Sequence, residues 1–422
     1  MMSAQDHGTS EPENEEDLRA IFGQLVGADI DAPSGLASKR RGFLPWHHPV
    51  KQVVRDRQWA DLTVRLIKAR ATQGDTLRYF TLPGADLLDV RVLAEKCSAI
   101  NVRIEYFGFN SGYVAAQGDL TELNEDQGAW ISAESALRQA NRITGDAVIL
   151  PDRLEDIAIN NSQAAEQLRL RDIFDVVNID ACDHLAYKPT GRDVCTFDAL
   201  NAILKHQMVA KRPWLLFITT RVHPDLLGQP GLEFQRAISE NLRASAEQFG
   251  GALAEAIGAD PTRLLAALAG AWASTDSSFL KLYTIGLGKF LLQFFHAQPN
   301  LPALVELASA YAYRVHGDQP DMLALAFRIS PEAQRAFPAN AGGVTVVPSL
   351  EPQRAVKLAE RAQRLQDLDR AMEAEPDLRS EALRNTESLL RSANYDEQAW
   401  RDWLAAHPQR PMTVDEVVVE LS

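Results

Sequence analysis

Two short runs constrain this chain more than anything else in it. Phe174-Asp-Val-Val-Asn-Ile-Asp180 and Trp214-Leu-Leu-Phe-Ile-Thr-Thr220 are largely apolar, without the strict alternation of a half-solvated strand. Such runs suit strands covered on both faces, the habit of parallel sheets. Three further segments read as strands ahead of them: Leu77–Leu82, Val102–Phe109 and the short Ala147–Leu150, stopped by Pro151. Helical spacing separates them over Ala85–Ala99, Ser132–Arg142, Leu154–Arg169 and Thr196–Met208. Strands alternating with helices predict a doubly wound, mainly parallel α/β sheet with helices on either side.

The alternation stops after Thr220. Ala308–Val315 and Leu323–Ile329 read as strands joined by His-Gly-Asp-Gln-Pro-Asp, an antiparallel hairpin at the end of the core. The 87 residues between Thr220 and Ala308 look wholly helical, over Leu232–Phe249, Pro261–Ala273 and Phe279–His296. That is too long for one crossover, so it reads as a sheet helix plus a helical insertion at about 229–300. Phe279 to Phe295 is the longest apolar stretch, yet it contains Lys281, Lys289 and Gln293. A buried helix fits it better than a membrane span.

Composition narrows the class. Apolar residues are 46% and charged residues 24% of the chain, globular values that exclude collagenous or wholly disordered sequence. Three cysteines, Cys97, Cys182 and Cys195, form no CxxC pair. With no signal-type N-terminus, they point to a reducing, cytoplasmic setting.

Charge is unevenly spread. Residues 1–37 hold eight acids and one base, whereas 38–70 hold nine bases and two acids. The first stretch reads as a disordered acidic tail, with Leu18, Ile21, Phe22 and Leu25 on one face of a short docking helix. The second interleaves Lys39, Arg40 and Arg41 with Trp46 and His47-His48. Bases beside aromatics suit nucleic-acid or partner contact through residues 38–57. The other reading is a clamp that packs Phe43, Leu44 and Trp46 on the core while its charges stay solvated or meet the acidic tail. The overall excess of acids, 57 against 43 bases, leaves nucleic-acid binding to such a local patch. The domains that follow are 1–37 (tail), 38–70 (basic linker and helix), 71–330 (core with insertion), 350–410 (C-terminal helices) and 411–422 (tail).

Five parallel strands followed by a hairpin whose last strand reverses resemble class I S-adenosylmethionine-dependent methyltransferases, a methyltransferase-like Rossmann fold. The likeness runs from Leu77 to Ile329, about 60% of the chain. Leu82-Pro-Gly-Ala-Asp-Leu-Leu-Asp89 and Phe174–Asp180 carry it. The resemblance implies that Pro83 and Gly84 wrap the cofactor's methionine end. It also implies that an acid near the end of the second strand holds the ribose, and that Asp180 at the end of the fourth faces substrate. Open α/β sheets bind ligands beyond the carboxyl ends of their strands in any case. The sequence departs from the family in three places. Gly84 is the only glycine of the turn, Asn110 stands where the ribose acid is expected, and Ala181-Cys-Asp-His184 replaces an Asn-Pro-Pro-Tyr type loop. The chain is also similar to an uncharacterised bacterial family encoded in mobile and defence-type gene islands, through Trp46-His-His-Pro, Leu82–Arg91, Gly108-Phe-Asn and Pro213–Arg221. That likeness brings no established chemistry.

Asp180, Asp183 and His184 are the catalytic candidates. An Asp–His pair can do acid–base work and two carboxylates can hold a divalent ion, but no spacing defines a metal site. The other roles open to them are small-molecule contact and plain structure. Arg221 ends the fifth strand, facing either the same crevice or a neighbouring acid. Beyond Pro348, Leu358, Leu365 and Met372 recur at seven, Pro376 breaks the first helix, and Leu383, Leu389, Leu390 and Ala393 stripe the next. Two or three helices are expected, packed on the core or on a partner. Val417–Leu421 has the pattern of a strand added to a sheet edge, its own or another protein's. Two functions follow. One is a methyltransferase-fold protein with a degenerate cofactor site, serving as a recognition subunit among other protein subunits of a bacterial, anti-phage type assembly. The other is an active methyltransferase on nucleic acid or a small molecule, with S-adenosylmethionine as cofactor.

Overall fold

A computed structural model describes residues 39–70, 75–111, 125–181, 183–297, 302–332 and 350–407. The described residues from Gly42 to His407 form one compact unit. The acidic tail, its docking helix, Cys182 and Val417–Leu421 lie outside the described residues.

One eight-stranded sheet organises the molecule, in the order β3-β2-β1-β4-β5-β7-β6-β8. Its strands are β1 Thr76–Thr81, β2 Arg103–Phe109, β3 Val148–Leu150, β4 Val176–Asp180, β5 Trp214–Arg221, β6 Ala303–Tyr313, β7 Met322–Pro331 and β8 Gln366–Asp367. The first five are parallel, β7 runs antiparallel between β5 and β6, and β8 lies parallel beside β6 at Tyr311 and Ala312. Trp214 through Thr220 are all buried, as an apolar run at the centre of a sheet requires.

Helices cover both faces. They are α1 (Pro49–Val53, Val54–Ala60 and Asp61–Lys68 in continuous succession), α2 Leu88–Ser98, α3 Glu125–Gln139, α4 Gln163–Arg169, α5 Thr196–Gln207, α6 Gly228–Ala244, α7 Ala246–Ile257, α8 Leu264–Ala273, α9 Ser277–His296, α10 Glu351–Ala362, α11 Leu368–Ala374, α12 Pro376–Ser392 and α13 Glu397–Ala406. Strand alternation decides which core each residue joins. Phe80, Val177, Ile179, Leu216 and Ile218 face α5, the insertion and α10. Tyr79, Val176, Leu215 and Phe217 face α1, α2 and the C-terminal helices. In α9, Phe279, Leu282, Ile285, Leu287 and Leu291 are each 1% exposed or less, so the insertion's apolar helix is core.

Local departures have local causes. Leu154–Arg169 is not one helix: a 3-10 turn, Leu154–Ala158, precedes α4. Asn161 turns left-handed there and Ser162 caps the new helix through Ala165 N. Leu232–Phe249 is divided between α6 and α7, and β6 begins at Ala303 rather than Ala308. After Pro348 there are four described helices, and the seven-residue recurrence does not belong to one of them. α10 ends at Ala362, Gln366–Asp367 pairs with β6, and the Asp367 carboxylate restarts a helix by accepting from Arg370 N.

Candidate functional site

At the carboxyl ends of β1 and β4, period-two alternation turns Tyr79 and Thr81, Asn178 and Asp180 toward the face under α1. The start of α2 brings Asp89 to the same place. Asn178 Nδ2 donates to the Tyr79 hydroxyl (2.8 Å), which donates to Asp89 Oδ2 (2.9 Å), as does Thr81 Oγ1 (2.5 Å). Burial pushes the Asp89 carboxyl upward in pKa, the two hydroxyls oppose that, and Asp180 adds to it. The Tyr79 phenol is held well above its ordinary range, by burial first and by Asp89 second.

The cations come from α1. Its middle segment, Val54–Ala60, is π-helical. Such turns are rare and re-aim the side chains they carry. Lys51, one turn earlier, donates from Nζ to Asp180 Oδ1 and lies 3.4 Å from the Tyr313 hydroxyl and 4.8 Å from the centre of the Trp59 ring. Arg55 is 3% exposed and donates through Nη2 to Trp46 O at 2.9 Å. Burial lowers its guanidinium pKa, and Asp180 and Asp89 raise it. Gln58 donates to Ser309 Oγ (2.8 Å) and Ala324 O (2.9 Å), tying the π-helical segment to β6 and β7. Arg55 Nε, Asn178 Oδ1 and Thr219 Oγ1 are buried without a hydrogen-bond partner among the described residues. Polar atoms in that condition hold ordered water or a small polar ligand.

The first turn is tightly bound to its surroundings. Asn110 Nδ2 donates to Pro83 O (3.1 Å), so the amide at the expected ribose position closes onto the turn. A Cβ at Gly108 would come within 2.9 Å of the Pro83 ring, so that glycine is needed for close packing of the turn on β2. Leu87, fully buried, sits at φ +52° and caps α2. A left-handed non-glycine residue costs on the order of 1 kcal/mol, and this one occupies the turn where the resembled family is rich in glycine. Asp86 Oδ2 accepts from the Tyr395 hydroxyl at 2.6 Å, and Arg91 ties Asp86 O to Ser392 O. Gly84 leaves room: a Cβ there meets nothing within 4 Å. Asn110, Pro83 and Asp86 are thus held by contacts within the turn and to the C-terminal helices.

The remaining candidates are placed separately. His184 Nε2 lies 3.6 Å from Asp183 Oδ1, and burial lowers the imidazole's pKa. No hydrogen bond or ion pair among the described residues joins this pair to Asp180. Arg221 Nε is 3.9 Å from Asp321 Oδ2. Burial pushes the Cys97 thiol up to about 12 and raises Cys195, which disarms both as nucleophiles near neutrality. Lys39 and Arg41 are exposed and Arg40 half-buried. Lys51 and Arg55, from the same basic stretch, are buried. Phe43, His47 and Trp46 form an aromatic clamp: Phe43 packs on Tyr395 and Trp403, His47 on Tyr395, and Trp400 Nε1 donates to His47 O at 3.1 Å. Among the described residues no cluster of three His, Cys, Asp or Glu is placed to hold a metal ion. No described helix is long and apolar enough to cross a membrane.

Sequence reasoning found Asp180 but missed Lys51, Arg55, Tyr79 and Tyr395. One signal was readable: Tyr79/Thr81 and Asn178/Asp180 fall on the same side of their strands, a pair of hydrogen-bonding side chains at the carboxyl end of each.

The strand order, with its reversed β7, defines a mainly parallel α/β protein with a methyltransferase-like Rossmann fold. The chain belongs to the PP_RS20740-like family, whose model matches residues 40–405. No curated protein matches the sequence. Among solved structures, an SAH-bound methyltransferase of Podospora anserina, PaMTH1, is similar at 12% identity over 78% of this chain and 100% of that one, with a TM-score of 0.28.

Proposed function

We propose that this protein uses a methyltransferase-like scaffold without the usual chemistry, as a recognition subunit of a bacterial assembly of the defence type its sequence resembles. One observation carries the reading: the chain's own Lys51 ammonium lies on Asp180, at the strand end that the fold otherwise offers to a ligand. Two features support it, the Asn110–Pro83 contact and the glycine-poor turn bound to Tyr395. A subunit of this kind keeps the rigid sheet and presents its appended helices and the Lys39-Arg40-Arg41 stretch to protein or nucleic acid.

The space over Gly84 and Asn178 Oδ1, which has no hydrogen-bond partner among the described residues, favour a second reading, an active S-adenosylmethionine-dependent enzyme. Calorimetric titration of S-adenosylmethionine separates the two. The first reading expects no saturable heat up to about 1 mM ligand, a binding energy weaker than about 4 kcal/mol. Micromolar binding that disappears in Gly84→Trp would overturn it and establish the second. A tagged chain expressed in its native host should also co-purify with a stoichiometric partner. Recovery alone, with micromolar S-adenosylmethionine affinity, counts against the subunit role.

A further inference from the structure

Among the described residues, the outer edge of β6 lacks a strand partner over most of its length. β7 pairs with one side along the whole strand, but β8 covers the other only at Tyr311 and Ala312. Among the described residues, Ala303–Ala310 has no strand beside it on that side. A bulge at Ala308 interrupts the register with β7, and a groove of about 420 Å³ runs along Leu307–Tyr311. The groove's other wall is Arg361 and Arg364, both exposed. Arg361 donates to Leu307 O and pairs with Glu306, each at 3.1 Å, while Arg364 has no ion-pair partner among the described residues. An open edge this long is a template for another strand.

We infer that the occupant is the chain's own segment Val414-Asp-Glu-Val-Val-Val-Glu-Leu421, seated in cis and antiparallel to β6. Three independent observations meet here. In composition, the segment is rich in β-branched residues and carries Asp415, Glu416 and Glu420 with no base, complementary to the arginine wall. As a strand, it puts Glu416, Val418 and Glu420 on one side and Asp415, Val417, Val419 and Leu421 on the other, so one face carries two glutamates toward the arginine wall and the other is mainly apolar, with Tyr311 in the groove's lining. In reach, His407 lines a small cavity with Tyr313, Arg314 and Val315, at the carboxyl end of β6. Residues 408–413 extend up to about 20 Å, which spans the roughly 10–13 Å from Tyr313 to Ala310. From that entry the segment can only run toward Ala303, against the direction of β6. This inference is independent of how the crevice is read.

Hydrogen exchange of the full chain tests it. Amides of residues 417–421 should exchange at least about tenfold more slowly than in the free peptide of the same sequence, independently of protein concentration. Glu416→Lys with Glu420→Lys, which alters no described element, should abolish the protection, and so should Arg361→Glu with Arg364→Glu. Combining all four reversals should restore it. Free-peptide exchange rates in the unaltered chain would overturn the inference. So would protection that appears only with dimer in light scattering, since the seat would then belong to a second copy.

Discussion

Lys51 and Asp180 stand 129 residues apart in the chain and meet as an ion pair over the carboxyl end of β4, their side chains 6% and 24% exposed. The contact fastens α1 across the sheet and fills the position where an open α/β sheet offers its ligand site. Around it, Asp89, Tyr79, Asn178 and Arg55 form a polar cluster that the fold must satisfy internally.

Removing one member of this pair strands the other. Lys51→Met should destabilise the protein by about 2–3 kcal/mol, below the usual penalty for a fully buried pair because Asp180 keeps some water contact. Lys51→Met with Asp180→Asn should recover most of that loss. Urea unfolding of the two singles and the double gives the coupling energy. A coupling near zero would mean that the pair does not hold α1.

His48 makes stability depend on pH. Its Nδ1 accepts from Val50 N at 3.3 Å, capping α1, which requires that nitrogen to be unprotonated. Burial, with Arg314 second, lowers its pKa to about 4. The unfolded chain takes up this proton near pH 6.5 and the folded one only near 4. The contribution is therefore complete above about pH 6.5 and is lost as pH falls toward 4, by up to about 3 kcal/mol. His48→Asn keeps a cap and does not titrate. Melting curves from pH 7 to 4 should show the unaltered protein losing stability relative to this variant; parallel curves would refute the assignment.

Tyr395 anchors the first turn from the C-terminal helices. Tyr395→Phe removes a 2.6 Å hydrogen bond to a buried carboxylate and should cost about 1.5–3 kcal/mol. Hydrogen exchange at Asp86–Val90 should quicken at the same time. Unchanged exchange there would show that the turn holds itself.

Two glycines of α9 test the packing of the insertion. A Cβ at Gly286 would lie 2.6 Å from Phe234 Cβ, an atom fixed to its backbone. At Gly288 it would meet the Leu358 methyls at 2.6 and 2.8 Å, the movable end of a side chain. Gly286→Ala should therefore cost about 2–3 kcal/mol and Gly288→Ala about 1. Thermal unfolding that ranked them the other way would place the rigid contact on α10 instead of α6.

The sequence alone determined seven of the eight described strands, with the start of β6 placed five residues late, and the reversal at the hairpin. It also marked α9 as a buried helix. Apolar runs and their period reflect each segment's own burial, and burial is set by the side chains the segment itself carries. Asp180 was visible for the same reason, as a carboxylate ending an apolar strand. Where a basic stretch goes is another matter. Lys39–Arg41 and Lys51–Arg55 look alike as charge, and only the tertiary structure separates exposed cations from buried ones. The reason is that a charge is buried when a counter-charge is waiting, and that partner lies 129 residues away. The π-helical turn, the left-handed Leu87 and the Tyr395–Asp86 bond share this origin. Each is locally unfavourable or unspecified and is held by packing between distant elements, which no local pattern encodes.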